Sequence, residues 1–246
     1  YAKHRPSYPR KAIEFVVRTC NLTDNSMVAD IGCGTGISTR LFARQGVKNI
    51  IGVEPNEDMR SVAERETKIS DITNSIIKFQ NGTAENTNLE SRSFDLVVSA
   101  QAFHWFDRTR ALAEFHRILK PSGHCVLMWN VRNETDPFTH QYGDIMIKHS
   151  SAVADEVKRL VSGKHLLLSE LFESVGVNEF ANNQVLDEEG LIGRALSTSY
   201  APRDPVKAIE LKNDLKALYK NFGTKGNVTM KYTTSVYIAK KVDHSE

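Results

Sequence analysis

The chain has 246 residues, 40% of them apolar and 25% charged, with 14 glycines and 7 prolines. This is ordinary globular composition, not that of a collagen-like, mucin-like or largely disordered chain. Lysine and arginine exceed aspartate and glutamate by 32 − 30 = 2, which argues against a molecule that wraps a phosphate backbone or sits on an anionic membrane. Three scattered cysteines, Cys20, Cys33 and Cys125, show neither disulfide-framework nor metal-ligand spacing, so no metal is expected and a reducing, cytoplasmic setting fits. No apolar run approaches the roughly 20 residues that span a bilayer, and the polar, proline-rich start from Tyr1 to Arg10 is unlike a signal peptide.

In chain order, residues 10–20 carry Ala12, Ile13, Val16 and Val17 at helical spacing. Met27 to Ile31 is a short apolar strand closed by Gly32, and the next segment places Ile37, Leu41 and Phe42 on one helical face before Gly46 ends it. The alternation repeats with strand 49–53, helix 56–69, strand 75–80, buried strand 94–100, helix 108–119 and strand 124–129. Lys120-Pro121-Ser122-Gly123 reads as a breaker before that last strand. Strands alternating with helices predict a doubly wound, mostly parallel α/β sheet covered on both faces. After Asn130 the rhythm changes: 136–160 and 164–174 read as helices, 179–185 as a weak strand, 187–197 and 204–222 as further helices. Asn227 to Lys240 closes the chain as a long strand with Val228, Met230, Tyr232, Thr234, Val236 and Ile238 on one face. This predicts a single domain over 1–246, its core about 10–130 plus 227–240, with a helical cap and sheet completion about 131–226. Lys212, Lys216 and Lys220 recur every fourth residue, with Glu210 and Asp214 among them, as on a solvated helix face.

The most informative stretch is Asp30-Ile31-Gly32-Cys33-Gly34-Thr35-Gly36. Gly32 permits a tight turn at the end of the strand, Gly34 lets a ligand approach the backbone, and Gly36 lets the helix start close to the strand. A nicotinamide site with glycines at 32 and 34 calls for a third at position 37, which is Ile37. No Gly-Lys-Ser/Thr ending follows Gly36 either, which disfavours a nucleoside triphosphate.

These residues resemble motif I of the class I S-adenosylmethionine-dependent methyltransferases. The resemblance continues in order through Gly52-Val53-Glu54-Pro55-Asn56, Asn81-Gly82-Thr83-Ala84-Glu85, Phe94 to Ala100 and Arg117 to Gly123, covering roughly residues 28–130. The run His104-Trp105-Phe106, with Arg5-Pro6-Ser7-Tyr8-Pro9, is similar to the type 11, trans-aconitate-methyltransferase-like branch. The resemblance implies a Rossmann-like fold with seven strands, the last antiparallel, and S-adenosylmethionine as cofactor.

Glu54 lies 24 residues beyond Asp30, at the end of the second strand, where a carboxylate can accept hydrogen bonds from two ribose hydroxyls or, alternatively, favour a helix start. Asp30 is either a brace for the loop or an acceptor for the cofactor's amino group. By resemblance Thr83, Ala84 and Glu85 flank the adenine, although Thr83 is also a plausible N-cap for a helix. Met59 is read as a cover for the adenine or as core, Cys33 as a small cofactor-site residue and not a nucleophile, and Pro55, Ala100 and Tyr8 as further cofactor neighbours. Gln101, Phe103, His104 and Trp105 leave the fourth strand on the substrate side, with His104 the candidate general base for a hydroxyl or amine acceptor; alternatively, His104, Trp105 and Phe106 pack the turn into the next helix. Tyr1, His4, Arg5 and Tyr8 belong to an arm that either folds over the cofactor as a lid, with Arg5 toward its carboxylate, or is exposed and disordered. Arg194, Tyr200 and Arg203 are possible anion contacts, residues that helix surfaces also carry routinely.

The expected activity is methyl transfer to a small carboxylate, hydroxyl or amine, by a monomer or homodimer without nucleic-acid or membrane partners. Alternatives are methylation of tRNA or protein, a nicotinamide oxidoreductase, and a cofactor-binding module without catalysis.

Overall fold

The computed structural model describes residues 4–149, 163–198 and 200–243. A seven-stranded sheet has the order β3-β2-β1-β4-β5-β7-β6, with β1 at Met27–Ile31, β2 at Asn49–Val53, β3 at Ile76–Gln80, β4 at Phe94–Ala100, β5 at Leu119–Arg132, β6 at Phe172–Leu186 and β7 at Val228–Lys241. The pairs β1–β2, β2–β3, β1–β4 and β4–β5 are all parallel. The connecting helices are α1 at Arg10–Thr19, α2 at Ile37–Arg44, α3 at Glu57–Lys68, α4 at Arg108–Ile118, α5 at Pro137–His149, α6 at Glu188–Leu196 and α7 at Pro205–Phe222.

The residues fall into two compact units, one drawn from Tyr8–Trp129, Arg159–Phe180 and Thr234–Glu246, the other from Tyr1–Ser7, Asn130–Lys158 and Ala181–Thr233. In the first, Val28, Ile50, Leu96, Val98, Val126 and Met128 pack with Ala12, Ile13 and Val16 of α1 and Phe42 of α2. The alternate strand residues Ala29, Ile31, Val97, Cys125 and Leu127 are equally buried. Side chains alternate across a strand, so both faces of this part of the sheet are covered. The second unit has its own core, in which Phe138, Tyr142 and Met146 of α5, Leu191 and Ala195 of α6, and Leu211, Leu215 and Leu218 of α7 meet Val228, Met230 and Tyr232 of β7.

Two sequence readings need correction. The expected helix 164–174 is helical only over 163–167, and β6 already begins at Phe172. A turn bonding Phe172 N to Ser169 O at 3.2 Å separates them. As the edge strand, β6 buries few side chains, so its apolar period is weak in the sequence. Lys120 to Gly123 lies within β5: Phe94 pairs with Leu119 and Leu96 with His124, an irregularity of register that absorbs the proline and Ser122 at φ 59°. Residues 150–160 of the long helix expected after Asp136 lie outside the described residues. Lys212, Lys216 and Lys220 are exposed along α7, as the solvated-face reading expects.

One buried acid ties the loop after β3 to α4. Glu114 accepts hydrogen bonds from Thr87 N at 2.9 Å, Thr87 Oγ1 at 2.5 Å and Arg117 Nε at 2.7 Å. Burial opposes its charge, but these Arg117 and Thr87 donors outweigh burial and hold its carboxyl down to about 2. A depressed folded-state pKa contributes stability above the unfolded value, lost as pH falls through the folded one. Unfolding measured from pH 7 to pH 2 should therefore show stability lost below about pH 4.5. Glu114→Gln should cost about 1–2 kcal/mol at pH 7, given the solvent screening of Arg117, and should flatten that acid limb. An unchanged acid limb in the variant would remove Glu114 from this role.

Candidate active site

Strand order reverses between β1 and β4, so the loops leaving their C-terminal ends part and leave a crevice there. The loop after β1 is pinned to the end of β2, because Gly32 N and Cys33 N both donate to Val53 O, at 2.8 and 3.2 Å. Gly32 has φ 69°, and a Cβ on it would lie 2.6 Å from Ala102 Cβ and 2.9 Å from Phe106 Cζ. Glycine here lets the turn after β4 close against the loop. Gly34 differs: at φ 55° a Cβ would meet only Met59 Sδ, at 3.9 Å. Its face is open, as the expected approach of a ligand to the backbone requires. Gly36 caps α2 in left-handed geometry, its vacant Cβ position lying 3.1 Å from Phe79 and 3.2 Å from Ala63.

Two carboxylates flank this loop. Glu54, 8% exposed, accepts from Gly34 N through Oε2 and from Asn56 N through Oε1, both at 3.0 Å. Each carboxylate oxygen has a second lone pair, so the side chain can accept further donors while holding the loop. Asp30 is fully buried, and its Oδ2 accepts from Ser38 Oγ and Thr39 Oγ1, both at 2.6 Å, which clamps the first turn of α2 to β1. Its Oδ1 is buried and has no hydrogen-bond partner among the described residues. Burial pushes the Asp30 carboxyl up to about 6, against the pull of the two hydroxyls and with some help from the Glu54 charge. The brace is thus to helix hydroxyls. Ser38 and Thr39 escaped the sequence reading, although hydroxyl residues in the first turn of a helix after an aspartate strand were visible there. Arg60 was missed as well: its Nη1 donates to Glu54 O at 2.7 Å and Pro55 O at 2.8 Å, fixing the turn that carries Glu54.

Thr83 caps no helix. Residues 83–86 form a turn in which Thr83 Oγ1 accepts from Asn86 N at 3.2 Å, with Ala84 buried. Glu85 Oε1 accepts from Asp107 N at 2.9 Å, joining this turn to the N-cap of α4.

After β4, Gln101 has φ 58°, an uncommon conformation for a non-glycine residue, and its amide donates to Met128 O at 2.9 Å. A single 3-10 turn, Phe103–Trp105, follows. Phe103, expected on the substrate side, is fully buried against Phe106 and Phe115, with ring centroids 5.9 and 6.2 Å away, and so belongs to the core. The half-buried His104 ring lies 4.9 Å from the Trp105 ring, and Trp105 is 60% exposed. Ala100 and Met59 are half-buried, Pro55 is exposed, and the Tyr8 ring is packed into the core cluster beside α1. Burial, then the negative charges of Asp30 and Glu54, push the Cys33 thiol well above its ordinary range, as a packing residue requires and a nucleophile does not. In the second unit, Arg5 donates to Ser197 O at 2.6 Å, Arg203 is exposed and Arg194 is buried.

Residues 29–127 match the type 11 family described as a methyltransferase domain. An uncharacterized methyltransferase of Mycobacterium tuberculosis is 28% identical over 238 residues, covering 95% of this chain and 89% of the relative. CRG1 of Saccharomyces cerevisiae, named a probable S-adenosylmethionine-dependent methyltransferase, is 30% identical over 193 residues, 74% of this chain and 65% of that one. The chain is an S-adenosylmethionine-dependent methyltransferase. Among solved structures, the YcgJ protein of Bacillus subtilis has a similar fold at TM-score 0.58 and 19% identity, over 96% of this chain and all of that one. A geranyl diphosphate methyltransferase in complex with SAM aligns at TM-score 0.52 and 13% identity, over 95% of this chain and 85% of that one.

The two glycines of this methyltransferase should separate by experiment. Gly32→Ala must displace the turn after β4 and should lower unfolding stability by about 2–4 kcal/mol, whereas Gly34→Ala bears only the left-handed backbone cost of about 1 kcal/mol. Thermal or urea unfolding of both variants decides this, and equal losses would contradict the difference in surroundings.

Proposed function

We propose that this methyltransferase transfers the methyl group of S-adenosylmethionine to a small organic acceptor, with Gly34, Glu54 and the turn after β4 at the centre of the site. The observation that carries the cofactor assignment is the open face of Gly34 beside a buried carboxylate with unused lone pairs. Glu54 accepts from the ribose hydroxyls, while Oδ1 of Asp30, buried and unpartnered, suits a bridging water or amino group. Met59 flanks the loop, and Thr83, Ala84 and Glu85 border the adenine. When bound, the cofactor supplies an electrophilic methyl group on a sulfonium. The protein's task is then to exclude water and hold the acceptor in line, and aromatic faces suit a sulfonium cation.

On the acceptor side, exposed Trp105 offers a flat apolar surface and His104 a base for a hydroxyl or amine, whereas a carboxylate acceptor needs none. The small-acceptor reading is supported by the near-neutral balance of 32 basic and 30 acidic residues, which offers a polyanion little general attraction. Among the described residues no helix is long and apolar enough to cross a membrane. Cys20, Cys33 and Cys125 are buried free thiols, in keeping with a cytoplasmic setting.

Calorimetric titration should show S-adenosylhomocysteine binding and no heat from NADH. Glu54→Ala should weaken that binding about 10- to 100-fold through lost charge-assisted hydrogen bonds; unchanged affinity would sink the ribose assignment. With methyl-labelled cofactor, label should move into small carboxylates, phenols or amines and stay out of precipitated tRNA and protein. For a hydroxyl or amine acceptor found this way, His104→Ala should lower turnover roughly 100-fold while leaving cofactor affinity intact, and full activity would remove His104 from the base role.

A further inference from the structure

In the second unit a buried guanidinium has no counter-charge among the described residues. Arg194 of α6 is 8% exposed. Its Nε reaches the Tyr232 hydroxyl at 3.4 Å, and its Nη1 is buried with no hydrogen-bond partner. Tyr142 of α5 is fully buried, and its hydroxyl likewise has no partner. The Tyr232 hydroxyl lies 3.2 Å from Gln184 Oε1 and 2.9 Å from Met230 Sδ. The Arg132 guanidinium stands 5.7 Å from the Tyr142 ring centre but is paired with Glu134 at 3.3 Å.

A guanidinium does not deprotonate in a protein, so burial must be met by a counter-ion or by dense hydrogen bonding. Arg194 has neither among the described residues. Asp136 is bound to Lys231, and Asp214 to Lys148 and His149. Tyr142 supplies no negative charge, because burial pushes its hydroxyl further above its ordinary range despite the nearby Arg194. One positive charge and two unused donor groups, Nη1 of Arg194 and the hydroxyl of Tyr142, therefore remain inside the unit.

We propose that Arg194, Tyr142 and Tyr232 form a binding site for a small organic carboxylate. A carboxylate carries the single negative charge that balances one guanidinium and has two oxygens to accept from the guanidinium and the phenol. A phosphate dianion would leave a net negative charge buried. This site does not depend on the cofactor assignment, since every residue in it belongs to the other unit.

The test uses the full chain at constant ionic strength and follows thermal unfolding and calorimetric binding with acetate, butyrate, lactate, benzoate, phosphate and chloride. At least one carboxylate should raise Tm above the chloride and phosphate values. Arg194→Met should abolish that rise while its Tm in chloride equals or exceeds wild type, because an unpaired buried charge has been removed. Tyr142→Phe, which keeps the packing, should keep the Tm in chloride and weaken carboxylate binding at least tenfold. S-adenosylhomocysteine affinity in both variants reports separately on the cofactor site. The proposal is overturned if none of the four carboxylates acts on wild type, if phosphate acts equally well, if Tyr142→Phe binds carboxylate as wild type does, or if Arg194→Met lowers Tm in chloride.

Discussion

The hydrogen bond from the Gly34 amide to the Glu54 carboxylate is the contact around which the candidate site is arranged. It joins the ends of two adjacent parallel strands, and the same side chain holds the start of the next helix through Asn56. Charge-assisted bonds to backbone amides are strong and directional, so one buried glutamate sets the spacing of two loops. The supports lie outside the loop: Asp30 fastens α2 to β1 through two hydroxyls, and Arg60 fastens the turn after β2. A ligand entering at Gly34 would meet a surface already organised, at little cost in ordering.

The loops after β3 and β4 are held by the same kind of device. Glu114 gathers Thr87 and Arg117, and Glu85 receives the Asp107 amide. Each acid collects donors from a neighbouring segment and so fixes its position. Arg194 stands apart because its surroundings give its charge no such answer. Glu114 and Arg194 are similarly buried, and that contrast is what distinguishes a structural ion pair from a group awaiting a ligand.

Much of the first unit was legible in the sequence. The alternation of apolar strands and amphipathic helices from α1 to β5 survives in the structure because buried parallel strands need continuous apolar runs, and the glycine spacing at 32, 34 and 36 separated this loop from nicotinamide and triphosphate sites. The edge strand β6 was read short because an edge needs few apolar residues, and the irregular start of β5 was read as a breaker because proline and glycine mark both. At the site, Phe103 was misplaced: an aromatic beside a strand end reads alike whether it faces a crevice or the core. The brace residues Ser38, Thr39 and Arg60 were invisible as such, since their roles depend on partners on other elements.

The sequence by itself determined the doubly wound first half and the glycine loop with its paired acids, because these are set by local periodicity and by residue types at short, fixed spacing; the methyltransferase reading came from the resemblance those motifs carry. Only the tertiary structure decided that Asp30 braces helix hydroxyls, that Gly34 faces open space while Gly32 faces Ala102 and Phe106, and that Arg194 is buried with no acid paired to it among the described residues. Those properties depend on what packing brings near each side chain, and that is fixed by contacts between residues far apart in the chain.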